Sequence, residues 1–141
     1  MGYDLLPKNK NTQGISVGAF SWPMYLQESG AGYVLGYGAG IRPATYVYQS
    51  GKKGSPVSND GYYVTSKEAK IMSCVIDGYL SVQRFMRLEI DALSQEKVNE
   101  MEEANKNFSW KTYNMPMAGK HLDKLDEISK FMKESGGFHI R

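Results

Sequence analysis

From Thr65 onward the apolar residues of this chain fall into a helical period, and this constrains the fold more than any other feature. Thr65-Ser-Lys-Glu68 reads as a capping box, in which Thr65 accepts the Glu68 backbone N–H and the Glu68 side chain reaches back. Beyond it Met72, Val75, Ile76, Tyr79, Val82, Met86, Ile90 and Leu93 recur at the spacing of one helix face. Phe85 and Leu88 lie off that stripe, so part of the back face is apolar too. Gly78 inside the helix costs about 1 kcal/mol relative to alanine, which predicts a close packing neighbour. Met101, Ala104 and Phe108 continue nearly in phase. A single helix of about forty residues would run roughly 60 Å, too long for a compact monomer of this size. The pattern therefore predicts a break at Ser94, an N-cap with Leu93 and Val98 placed as a hydrophobic staple. The alternative is an unbroken helix packed against other subunits. Either arrangement leaves apolar faces that favour self-association.

The remaining segments are shorter. Tyr3–Leu6 and Ile15–Phe20 are β-compatible runs, and Pro23 opens a short helix, Met24 to Glu28, that Gly30 stops. Tyr33–Gly38, Thr45–Gln49 and Phe108–Tyr113 read as strands. A helix over His121–Glu134 buries Leu122, Leu125, Ile128 and Met132. Gly136-Gly137 ends it in the left-handed conformation, and residues 138–141 form a last strand. The expected fold is α+β, one domain over residues 1–141. Residues 1–65 are rich in strands and turns, and residues 66–141 are mainly helical. A small antiparallel sheet from the N-terminal half packs against the long amphipathic helix and the C-terminal helix.

Charge and cysteine usage bound the function classes. Residues 1–65 carry five basic and three acidic side chains, against twelve of each in 66–141, so no cluster of Lys and Arg grips duplex nucleic acid. The single cysteine, Cys74, fits a reducing compartment. The opening Met-Gly-Tyr-Asp-Leu-Leu-Pro-Lys does not read as a signal peptide, and no apolar run is long enough to span a membrane. A cytoplasmic protein is expected.

Several pieces together resemble an uncharacterised family of small phage and prophage proteins. The matching residues are Gly2, Asp4 and Lys8 in a Met-Gly-x-Asp opening, then Trp22, Pro23 and Met24, then the turn Asn59-Asp60-Gly61. Phe131, Gly136, Gly137, Phe138 and Ile140 match the C-terminal helix and its Gly-Gly-Phe-x-Ile end. The family's aromatic run before the proline is reduced here to Phe20-Ser21-Trp22. The resemblance implies a phage origin and a compact fold, and it brings no activity with it.

The residues for chemistry are sparse. Gly30-Ala-Gly32-Tyr-Val-Leu-Gly36 is one residue too long for a GxGxxG dinucleotide loop and does not open a helix. His121 and Asp123, two apart on a helix, diverge. His139 is isolated, and Cys74 has no CxxC partner, so no metal site is expected. Cys74 beside Lys70 reads as a mid-helix thiol rather than a nucleophile. Glu100, Glu102 and Glu103 read as a solvated face. Neither a catalytic set nor a cofactor site emerges.

What remains lies between Gly30 and Tyr63, which holds six of the ten tyrosines, eight of the fifteen glycines and four charged side chains. Tyr37, Tyr46 and Tyr48 are placed to stack on a planar ring, and Arg42, Lys52 and Lys53 to neutralise phosphates. The competing reading is a half-buried hairpin with a solvated turn. The leading expectation is a phage-encoded, non-enzymatic binding protein that oligomerises through its long helix. Its most concrete form is an anti-defence sponge for a nucleotide-derived host immune signal. The alternatives are a module that grips a host or phage protein, and a small hydrolase.

Overall fold

Tyr3, Leu5, Ile15 and Val17 alternate with Asp4, Leu6, Ser16 and Gly18, so two short strands can bury one face and leave the other in water. The computed structural model describes residues 2–37, 54–107 and 115–141. It pairs β1 (Gly2–Pro7) with β2 (Ile15–Gly18). On the other side of β1 lies β4 (Gly137–Ile140), followed by β3 (Tyr62–Thr65), giving the order β2-β1-β4-β3 with every pairing antiparallel. The sheet is thus not confined to the N-terminal half, because a strand from the other end of the chain sits between β1 and β3. Gly136 and Gly137, at φ +68° and +100°, turn the chain into that position. Phe138 and Ile140 then complete an inner face with Tyr3, Leu5, Val17, Tyr62 and Val64, all buried.

Helices cover that inner face. The first, α1 (Ser21–Ser29), starts two residues ahead of Pro23, whose missing N–H is harmless in a first turn, and ends at Gly30 with φ +82°. The strand expected over Tyr33–Gly38 does not form across the part described. Ala31–Leu35 is instead a 3-10 turn bracketed by Gly30 and Gly36, both left-handed, and Ala31 and Leu35 point into the core. Its alternation of large and small residues imitated a strand, but left-handed glycines at both ends coil the chain instead of extending it.

The long helix α2 (Ser66–Asp91) opens with the capping box in place. Thr65 N–H donates to Glu68 Oε1 at 2.9 Å, and Glu68 N–H to Thr65 Oγ1 at 3.2 Å. The chain breaks where expected, and Ser94 Oγ accepts the Lys97 N–H (3.2 Å) in the first turn of α3 (Gln95–Asn107). The buried face, however, is Ala69, Met72, Ser73, Ile76, Leu80, Gln83 and Ile90, while Val82 is 58% exposed. Two polar residues turn inward because partners await them. Gln83 Oε1 accepts the Met117 N–H at 2.6 Å, and Ser73 meets Ser129 at 2.9 Å. Gly78 faces outward, and among the described residues nothing lies within 4 Å of where its Cβ would stand. None of the described residues is the close neighbour expected for it.

The last helix, α4 (Gly119–Glu134), packs along α2 with Leu122, Leu125, Ile128, Phe131 and Met132 buried. Between the two helices Ser129 Oγ and Lys133 Nζ donate to the two oxygens of Asp77, each at 2.6 Å. Burial pushes the Asp77 carboxyl upward, but the hydrogen bonds from Lys133 and Ser129 outweigh it and hold it below its ordinary value. A carboxyl depressed in the folded state stabilises above its unfolded pKa, and that contribution drains away as pH falls below about 4. Thermal melts of wild type and Asp77→Asn are therefore expected to differ at neutral pH and to converge as the pH is lowered through that range.

Candidate functional site

The pleat that buries one face of the sheet presents the other as rows of side chains. Leu6 pairs with His139 and His139 with Tyr63, so these three stand in one row across β1, β4 and β3. The Tyr63 and His139 rings are 4.9 Å apart at 37°, half-buried, and Leu6 beside them is 43% exposed. His139 is thus not isolated, as the sequence suggested, but half of an aromatic pair. Lys8 lies on one side of this row, its Nζ 5.0 Å from the centre of the Tyr63 ring. Its backbone N–H donates to the Gly137 carbonyl at 2.8 Å, which fixes the start of its side chain.

The next row lies roughly 7 Å along the strands. There Asp4 and Arg141 exchange backbone hydrogen bonds, and the Ser16 hydroxyl donates to the Asp4 carboxylate at 2.6 Å. This row ends in a polar cleft of about 320 Å³ lined by Asn59, Asp60, Gly61 and Arg141. Three bonds hold the loop that builds the cleft. Trp22 Nε1 donates to the Pro56 carbonyl (2.8 Å), Tyr3 Oη to the Val57 carbonyl (2.7 Å), and Asn59 Nδ2 to the Gly2 carbonyl (2.9 Å). Gly61, at φ +85°, then delivers the chain into β3, its N–H bonded to the Ile140 carbonyl.

Two π-faces with a cation on either side form an arrangement that stacks a planar ring and neutralises a phosphate. The other candidates offer less. A cleft of about 670 Å³ between α2 and α3 is walled by Met86, Ile90, Leu93 and Met101, with Glu89 at its side, and lacks the convergent polar groups that orient a small ligand. His121 is engaged by Tyr25, whose hydroxyl lies 2.7 Å from Nδ1. Burial raises the Tyr25 hydroxyl above its ordinary value. Cys74 is exposed on α2, and no three His, Cys, Asp or Glu side chains gather to hold a metal among the described residues.

Of the six residues expected from the sequence, Tyr37 is half-buried and packed against the core. Arg42, Tyr46, Tyr48, Lys52 and Lys53 lie outside the described residues. Among the described residues, aromatic and basic side chains come together at Lys8, Tyr63, His139 and Arg141. Comparison with protein-family models, with curated proteins and with solved structures finds no match.

Proposed function

We propose that this chain is a phage-encoded, non-enzymatic binding protein that captures a nucleotide-like ligand on the open face of its sheet. The observation that carries the reading is the in-register row Leu6–His139–Tyr63 with Lys8 on one side and Arg141 on the other. A base stacks over His139 and Tyr63, its phosphate meets one of the flanking cations, and its polar edge reaches Asn59 and Asp60 in the cleft. Nothing in this mechanism turns over. Capture is stoichiometric, as a sponge for a nucleotide-derived immune signal requires. The phage origin rests on the sequence resemblance, and Arg42, Lys52 and Lys53 join the reading by sequence alone, as further phosphate partners.

Titration calorimetry with nucleoside monophosphates and cyclic dinucleotides tests this directly. Tyr63→Ala and His139→Ala are each expected to weaken binding about tenfold to a hundredfold, the worth of one base–aromatic stack. Wild-type protein that binds none of these compounds, or alanine variants that bind as tightly as wild type, would remove the sheet face from consideration.

A further inference from the structure

The face of α2 opposite its buried side is unusual for a solvated helix. Ile71, Gly78, Phe85 and Ala92 recur every seven residues, with Cys74, Ser81 and Leu88 between them, and all seven are exposed. This is the spacing of the a and d positions of a helix-pairing seam. The large members are well out in solvent, Ile71 at 43%, Phe85 at 63% and Leu88 at 69%, with Val82 at 58% beside them. Two turns with Val82, Phe85 and Leu88 exposed together are more apolar than a monomer's helix normally leaves uncovered.

We infer that α2 pairs antiparallel with α2 of a second copy along this seam, each Phe85 seated over the other copy's Gly78. Two independent features select that occupant. The first is shape. With the two-fold axis between Ser81 and Val82, position 78 meets 85 and position 71 meets 92. Both alignments put a large side chain over a small one, the self-complementarity that an isologous contact demands. No described residue stands within 4 Å of a Cβ at Gly78, so among them the ring has somewhere to go. The second is charge. Exposed Lys67 and Lys70 lie toward the N-terminal end of the seam and exposed Glu89 and Asp91 toward its C-terminal end, where the one exposed cation, Arg84, is paired with Asp126 of α4. Antiparallel pairing sets each basic end against an acidic one, whereas parallel pairing would set like charges together. Opposed helix dipoles favour the same direction.

The inference does not depend on the ligand reading. The seam faces away from the core that α2 shares with the sheet, so the dimer leaves both open sheet faces free.

Light scattering coupled to size exclusion should give the mass of a dimer for wild type and of a folded monomer for Gly78→Arg, with the circular dichroism spectrum unchanged because no described residue occupies that space. In a Cys74→Ser background, Ser81→Cys, next to the axis, should cross-link between copies on mild oxidation, and Lys70→Cys, far from its own counterpart, should not. A monomeric wild type overturns the inference and leaves the seam to a different partner. A dimer indifferent to Gly78→Arg, or Lys70→Cys cross-linking as readily as Ser81→Cys, overturns it as well. Should Gly78→Arg fail to fold, the two cysteine variants decide the question by themselves.

Discussion

Replacing Trp22 with alanine is expected to cost about 3–5 kcal/mol, the range for emptying a large aromatic site in a core. A typical domain has only about 5–15 kcal/mol in hand, so this one substitution removes a large share of the total. Two losses add. The indole is 1% exposed and packs near Tyr3, with ring centres 6.5 Å apart, so its removal leaves a cavity between α1 and the sheet. Its Nε1–H also satisfies the Pro56 carbonyl, which would be left without that donor. Urea titration followed by circular dichroism measures the shift in midpoint. Trp22→Phe, which keeps a ring but no donor, should fall between alanine and wild type. Because Pro56 belongs to the loop that builds the cleft, whatever folded protein survives should show a disturbed Asn59–Gly61 segment.

Substituting Gly137 with valine is the second large effect. A Cβ there would stand 2.8 Å from Tyr63 Oη, 2.9 Å from the Val64 carbonyl oxygen and 3.1 Å from the Ser66 nitrogen, at φ +100°. A tyrosine hydroxyl can swing aside, but the two backbone atoms belong to β3 and its junction with α2 and cannot move without breaking the ladder. Backbone strain and the displaced strand together should cost about 2–4 kcal/mol, read again from the denaturation midpoint. The substitution also pushes Tyr63 off His139. On the proposed reading, affinity for a nucleotide is therefore expected to fall even under conditions where the variant is still folded.

The parts of the fold that a sequence reader can see are those fixed by neighbours along the chain. Thr65 and Glu68 are three residues apart and need nothing else to form their box. Ser94 caps its helix locally, and Gly136-Gly137 turn the chain after α4 by backbone freedom, although Asn9 and Thr12 also donate to the Glu134 carbonyl from far away in sequence. The α+β class follows from such segments. Which face α2 buries does not, because Ser73 and Gln83 turn inward only where Ser129 and Met117 receive them, and those partners come from more distant sequence. The candidate site is harder still. Tyr62 and Tyr63 are identical in composition, yet the pleat puts Tyr62 in the core and Tyr63 on the open face. Leu6, His139 and Tyr63 become neighbours only because β4 lies between β1 and β3, a pairing that no local signal encodes. The alternation of Leu6 with Lys8 and of His139 with Arg141 was the available clue, and it indicates a face without revealing what stands beside it.

The position of β4 also governs the order in which this protein can be made. A strand encoded near the far end of the chain is inserted between two encoded earlier, so β1 has only β2 beside it, and β3 lacks its sheet neighbour, until Gly137–Ile140 has been synthesised. Closing the sheet must therefore wait until Gly137–Ile140 has been translated, and α2, whose inner face needs α4 as well, waits with it. Pairings between segments so distant in sequence raise the contact order and slow folding, leaving strand edges unsatisfied in the meantime. For this fold the vulnerable species is the chain that has not yet placed β4, and the arrival of that strand between β1 and β3 ends the exposure.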